Sequence, residues 1–107
     1  QEYIVSVDKP ITKEFLQEMS SGVYLPELER STRRAVLWQD PKLPKEIQRK
    51  QFHIVLTEGL NRQIRRMCEA LGYEVTRLKR IRVMNIELGK MKPGEYFEIK
   101  REELELF

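Results

Sequence analysis

One cysteine and one histidine are all that the 107-residue chain offers of the side chains that disulfides and soft metals need. A lone Cys68 cannot close an internal disulfide, and with His53 it falls short of a four-ligand zinc cage. A thiol nucleophile would need an activating base beside it, and none is apparent for Cys68. Aspartate is equally scarce, with Asp8 and Asp40 its two occurrences. No run of about 18 apolar residues is present, so no membrane partner is expected. No basic-then-apolar segment opens the chain either, and the expected location is the reducing cytoplasm.

What is there reads as a folded domain. The 40% apolar and 35% charged composition is that of a globular protein, and the length allows one domain or a fragment of one. Gln1 to Val7 is a strand pattern already under way, which predicts truncation on that side. The net charge of +3 conceals an asymmetry. From Leu60 to Arg82, seven Lys and Arg stand against two acids, whereas the remainder holds thirteen basic and fifteen acidic residues. Positive charge gathered into one helix-and-strand unit suits a polyanion-binding surface. The ordinary alternative is a solvated helix face beside a charged edge strand.

Tyr3, Val5 and Val7 alternate with polar residues and predict a strand ending at Asp8-Lys9-Pro10. Thr12 is placed to cap a helix over Lys13 to Ser21, with Phe15, Leu16 and Met19 on one face and Gly22 as its stop. Val23 to Leu28 reads as a short extended piece broken by Pro26, and Thr32 to Gln39 as a strand. Asp40 to Lys50 carries two prolines and many charges, so an exposed hairpin loop is expected there. Gln51 to Thr57 follows as a strand with Phe52, Ile54 and Leu56 on one face. Leu60, Ile64, Met67, Cys68 and Leu71 recur at helical spacing, with Asn61 as N-cap, Gly72 as stop, and Arg62, Arg65 and Arg66 turned away from the stripe. Beyond it, Tyr73 to Leu88 is extended with a bulge near Val83 and Met84. A Pro93-Gly94 turn, a last strand at Tyr96 to Ile99 and a terminal helical turn over Arg101 to Phe107 complete the reading. Strands joined by hairpin-length links, with two or three helices, predict an α+β fold on a mixed, largely antiparallel sheet.

The segment L-T-E-G-L-N-R-Q-I-R-R-M-C-E-A-L-G-Y, Leu56 to Tyr73, resembles the third conserved motif of the bacterial ribosomal-RNA pseudouridine synthases. The resemblance continues through R-L-K-R-I-R-V-M-N-I-E-L at Arg77 to Leu88 and P-G-E-Y-F at Pro93 to Phe97. The opening E-Y-I-V is similar to a family strand in which Lys is common where Gln1 stands. It covers essentially the whole chain, with Ser20 to Lys50 poorly specified. In that family a nucleophilic aspartate lies upstream in a G-R-L-D motif. Neither V-D-K-P around Asp8 nor Q-D-P-K around Asp40 matches it. The resemblance therefore implies the C-terminal part of the catalytic domain over residues 1–107, lacking the aspartate-bearing half and the preceding small RNA-binding domain, and inactive alone.

The implied reaction detaches uracil from ribose, turns it and rejoins it through carbon 5, without a cofactor. The target uridine must leave the stack, which costs a few kcal/mol and needs a receiving pocket. By resemblance Tyr3 packs on the flipped base, and Arg65 pairs with the missing aspartate. Asn61, Arg62, Gln63, Ile64 and Arg65 belong to an RNA-contacting wall, with Arg66, Arg77, Arg80 and Arg82 assigned more loosely to phosphates. The ordinary readings are a core tyrosine, a solvent-facing Arg65 paired with Glu69 on the same helix, and charge that guards a sheet edge. His53 reads as a surface or inter-strand residue, Cys68 as core, and Trp38 and Tyr24 as core or edge-capping aromatics. The partner expected is ribosomal RNA, with a lean to the large subunit. Two other classes remain open: a non-catalytic RNA-binding module for ribosome assembly, and a structural half-domain that docks a protein. Unpaired backbone at a sheet cut at Gln1 would also permit edge-to-edge pairing of copies.

Overall fold

A computed structural model describes residues 1–81 and, as backbone, 96–98. In chain order the elements are β1 (Glu2–Val7), α1 (Lys13–Ser21), β2 (Tyr24–Leu25), a single 3-10 turn (Pro26–Leu28) and β3 (Arg30–Ser31). They continue with β4 (Val36–Gln39), α2 (Lys45–Gln48), β5 (Gln51–Val55), α3 (Gln63–Ala70), β6 (Val75–Ile81) and β7 (Tyr96–Glu98). Five strands form one sheet in the order β6-β1-β5-β4-β7, antiparallel except for the parallel β4–β7 pair, and β2 and β3 make a separate hairpin. The fold is α+β on a mixed, largely antiparallel sheet, as expected.

Cross-strand partners share a face of a sheet, so the register sorts the side chains. Tyr3, Val5, Phe52, Ile54, Leu37 and Leu78 fall on one face. Both longer helices bury their apolar stripes in the same core, through Phe15, Leu16 and Met19 from α1 and Ile64, Met67 and Cys68 from α3. Phe15 meets Phe52 edge-on at 5.5 Å and Tyr73 at 4.3 Å. Each such buried side chain stabilises by roughly 1.5–3 kcal/mol. The Cys68 thiol is fully buried, and desolvation pushes its pKa up to about 12.

The opposite face holds Glu2, Ile4, Ser6, Trp38, His53 and, on β6, Arg77 and Lys79. Its centre is closed as well. Glu2, Trp38 and His53 are all buried; His53 stacks on Trp38 at 3.8 Å and meets the Glu2 carboxylate at 3.2 Å. Desolvation holds His53 below its ordinary pKa of 6.5, with Glu2 opposing. Of the two readings of His53, surface or inter-strand, the inter-strand one holds, because the centre of this face is buried between β4 and β1.

Caps follow the sequence at α1, where the Thr12 hydroxyl accepts from the Phe15 N–H at 3.0 Å and Gly22 closes the helix at φ 113°. At α3 they do not. Arg62, not Asn61, is the N-cap, in a left-handed conformation with φ 50°, and the helix begins at Gln63. The strand expected from Thr32 starts only at Val36, and the loop after β4 contains the one-turn α2. β1 pairs on both sides, with β5 and β6, and among the described residues β6 is the outer strand on that side. The bulge near Val83, the Pro93-Gly94 turn and the terminal helical turn lie outside the described residues.

A Cβ at Gly22 would sit 2.6 Å from the Thr32 carbonyl oxygen on a backbone that side chains rarely adopt. Gly22→Ala should therefore destabilise the fold by about 1–3 kcal/mol in chemical denaturation. Cys68 should resist alkylation at pH 8 in the folded protein and react at an ordinary thiol rate once denatured; native-state labelling would count against the buried placement.

Candidate nucleic-acid site

The link between β5 and α3, residues 56–62, turns the chain from the sheet onto the helix. One carboxylate organises it. Glu58, whose side chain is only 8% exposed, accepts from the Arg33 backbone N–H at 2.6 Å, from the Arg30 guanidinium at 2.9 Å and from the Gln63 side-chain amide at 3.2 Å. The Gln63 amide oxygen in turn accepts from the Leu60 N–H at 3.2 Å. The β2–β3 hairpin and the first turn of α3 are thus fastened to the same acid. Arg66 adds a second tie, donating to the Asn61 carbonyl at 2.9 Å and pairing with Glu27 at 3.2 Å.

A cleft of about 180 Å³ lies between the α3 start and the start of β1, lined by Gln1, Tyr3, Leu56, Gly59, Leu60, Arg62, Gln63, Ile64, Arg65 and Leu78. For scale, an apolar cavity of about 150 Å³ holds one six-membered ring. The apolar part is Leu56, Leu60, Ile64 and Leu78, and Arg62 and Arg65 supply positive charge. The Tyr3 hydroxyl donates to the Gln1 side-chain oxygen at 3.0 Å. Such a cleft suits a flat heterocycle with polar edges on an anionic backbone.

Of the residues singled out from the sequence, Tyr3, Arg62, Gln63, Ile64 and Arg65 converge on this cleft although Tyr3 stands some sixty positions upstream. Arg65 is half-buried and, among the described residues, its side chain makes no hydrogen bond or ion pair; the Glu69 pairing does not form. Gln63 is 3% exposed and its amide is spent on Glu58, Leu60 and the Met67 sulfur, so its observed role is to brace the loop. Asn61 and Arg66 lie outside the cleft lining and bind each other. Arg80 stands opposite Tyr3 on the same face, while Arg77 stands opposite Ser6 on the far face. Arg82 lies outside the described residues.

Neither aspartate reaches the cleft. Asp8 accepts from the Glu74 N–H at 2.8 Å, tying the end of β1 to the start of β6, and Asp40 accepts from the Lys42 N–H at 2.9 Å within its own turn. Sequence reasoning missed Glu58, because its partners Arg30 and Arg33 lie 28 and 25 positions away. It also left Gln1, Leu56, Leu60 and Leu78 out of the site. Trp38 is buried as expected, whereas Tyr24 is 57% exposed on the hairpin.

No family model matches the chain. It is 47% identical over 104 residues to the dual-specificity RNA pseudouridine synthase RluF of Escherichia coli, covering 97% of the chain and 33% of that protein. Over 102 residues it is 32% identical to the ribosomal large subunit pseudouridine synthase B of Bacillus subtilis, covering 95% of the chain and 41% of that protein. The chain thus spans about a third of the length of the RluF relatives it matches. A solved pseudouridylate synthase shares its fold with a TM-score of 0.65 at 23% identity, covering 97% of the chain and 43% of that structure.

Glu58→Ala should leave the buried Gln63 amide without its carboxylate and free the hairpin from α3. A loss of about 1–3 kcal/mol in denaturant unfolding is expected. Glu58→Gln, which retains an acceptor, should lose less.

Proposed function

The chain belongs to the RNA pseudouridine synthase family, and from that premise we propose that the protein containing it isomerises a specific uridine in ribosomal RNA, preferably of the large subunit, in the cytoplasm. The chain supplies the base-receiving half of the active site. The observation that carries this reading is the meeting of Tyr3, Arg62 and Arg65 around one ring-sized, partly apolar cleft.

In this reading the flipped uracil lies against Tyr3 and over Ile64 and Leu78, where burial of its faces offsets the few kcal/mol spent on unstacking. Arg62 takes a flanking phosphate in the bidentate manner open to a guanidinium. Arg65 faces the aspartate contributed by the other part of the domain, keeps it ionised and orients it toward the sugar. An opposite charge at that range lowers a carboxyl pKa by about 1–3 units. With Asp8 tied to the start of β6 and Asp40 to its own turn, both away from the cleft, the isolated chain is catalytically silent. Pairing of copies would run through β6, the outer strand beside β1, where Arg77, Lys79 and Arg80 oppose it by like charge.

Arg65→Met in the full-length protein tests the assignment. Turnover of uridine in a ribosomal RNA fragment should fall by at least about a hundredfold, the scale on which loss of one preorganised charged partner acts, with RNA affinity nearly unchanged. Near-normal turnover would remove Arg65 from the site.

A further inference from the structure

A second cavity, of about 160 Å³, lies on the other face of the sheet, toward the end of β1 and the start of β5, and is lined by Ile4, Ser6, Gln51, Arg77 and Lys79. The register explains its composition. Gln51, Ser6 and Arg77 are successive partners across β5, β1 and β6, so an amide, a hydroxyl and a guanidinium stand in one row on the face turned away from the cleft. Lys79 stands beside Ile4 one step along that face. Two residues apart on a strand, Arg77 and Lys79 are separated by roughly 7 Å along its axis, so their long side chains can close on one group. Both are exposed, and among the described residues neither side chain makes an ion pair or a hydrogen bond.

Among the described residues, every polar side chain lining this cavity can donate, and none is a carboxylate. The complementary ligand is a tetrahedral oxyanion. Edge protection would account for the charges alone, since it needs only like charge along the outer strand. It does not account for a hydroxyl and an amide aligned with them over a recess. We infer that Arg77, Lys79, Ser6 and Gln51 form a phosphate clasp on the face opposite the cleft, which takes a backbone phosphate of the RNA strand as it passes around the β6 edge. This assignment rests on the proposed RNA substrate. It separates Arg77 from Arg80, which stands on the cleft side opposite Tyr3.

The test uses the full-length protein and a ribosomal RNA fragment, with affinity measured across a range of salt for the parent, for Arg77→Gln combined with Lys79→Gln, and for Arg77→Lys. Loss of one phosphate contact should flatten the slope of log K on log salt by about 0.7–0.9 in the double variant, with several-fold weaker binding at moderate salt. Arg77→Lys, which keeps the charge, should retain most of the slope. An unchanged slope and affinity in the folded double variant would overturn the clasp. A parent that binds RNA but forms no pseudouridine would instead count against the proposed reaction, with the salt slopes still deciding the clasp.

Discussion

The Glu58 carboxylate is the joint on which the site depends. Nearly buried and bonded to Arg30, the Arg33 backbone and Gln63, it fastens the β2–β3 hairpin and the first turn of α3 to one point of the link after β5. Charge-assisted bonds of this kind are about twice as strong as neutral ones. They hold a link that would otherwise be free to move, and they pass the constraint to Arg62 and Arg65 through the helix. The left-handed backbone at Arg62, with φ 50°, is the strained element in this arrangement. Such strain persists where the surrounding contacts over-determine it.

β1 supplies the other half of the positioning. It lies between β5 and β6, so Tyr3 is fixed on a strand hydrogen-bonded on both sides. The cleft is therefore set between two firm elements, with a short braced link between them. Its apolar part comes from β6, α3 and the link, and its charge from the α3 start. A charged rim over apolar walls lets electrostatics guide a polyanion while the walls accept one ring.

Period-two alternation in Tyr3, Val5 and Val7, and helical spacing in Ile64, Met67 and Cys68, placed the core face of β1 and α3 from sequence because both elements have one buried side. The cap at Thr12 was legible for the same local reason. What escaped was set by distant contacts. Asn61 has the side chain of a good N-cap, yet its carbonyl and amide serve Arg66 and the helix begins one residue later than that cap implies. His53 read as either a surface or an inter-strand residue, and it is the buried centre of the far face, against Trp38 and Glu2, that decides for the second. Glu58 gave no local signal, since its partners come from a hairpin far back in the chain. The division of β6 into a cleft-side Arg80 and a far-side Arg77 and Lys79 is a matter of register with β1, which sequence spacing does not determine.

The central claim is that this chain holds the base-receiving half of a pseudouridine synthase site and leaves the attacking carboxylate to another part of the protein. Its most direct test is pseudouridine formation in a ribosomal RNA fragment, assayed side by side for the full-length protein and for the 107-residue chain. Product is expected from the first and none from the second, at any enzyme concentration. Pseudouridine made by the isolated chain would contradict it.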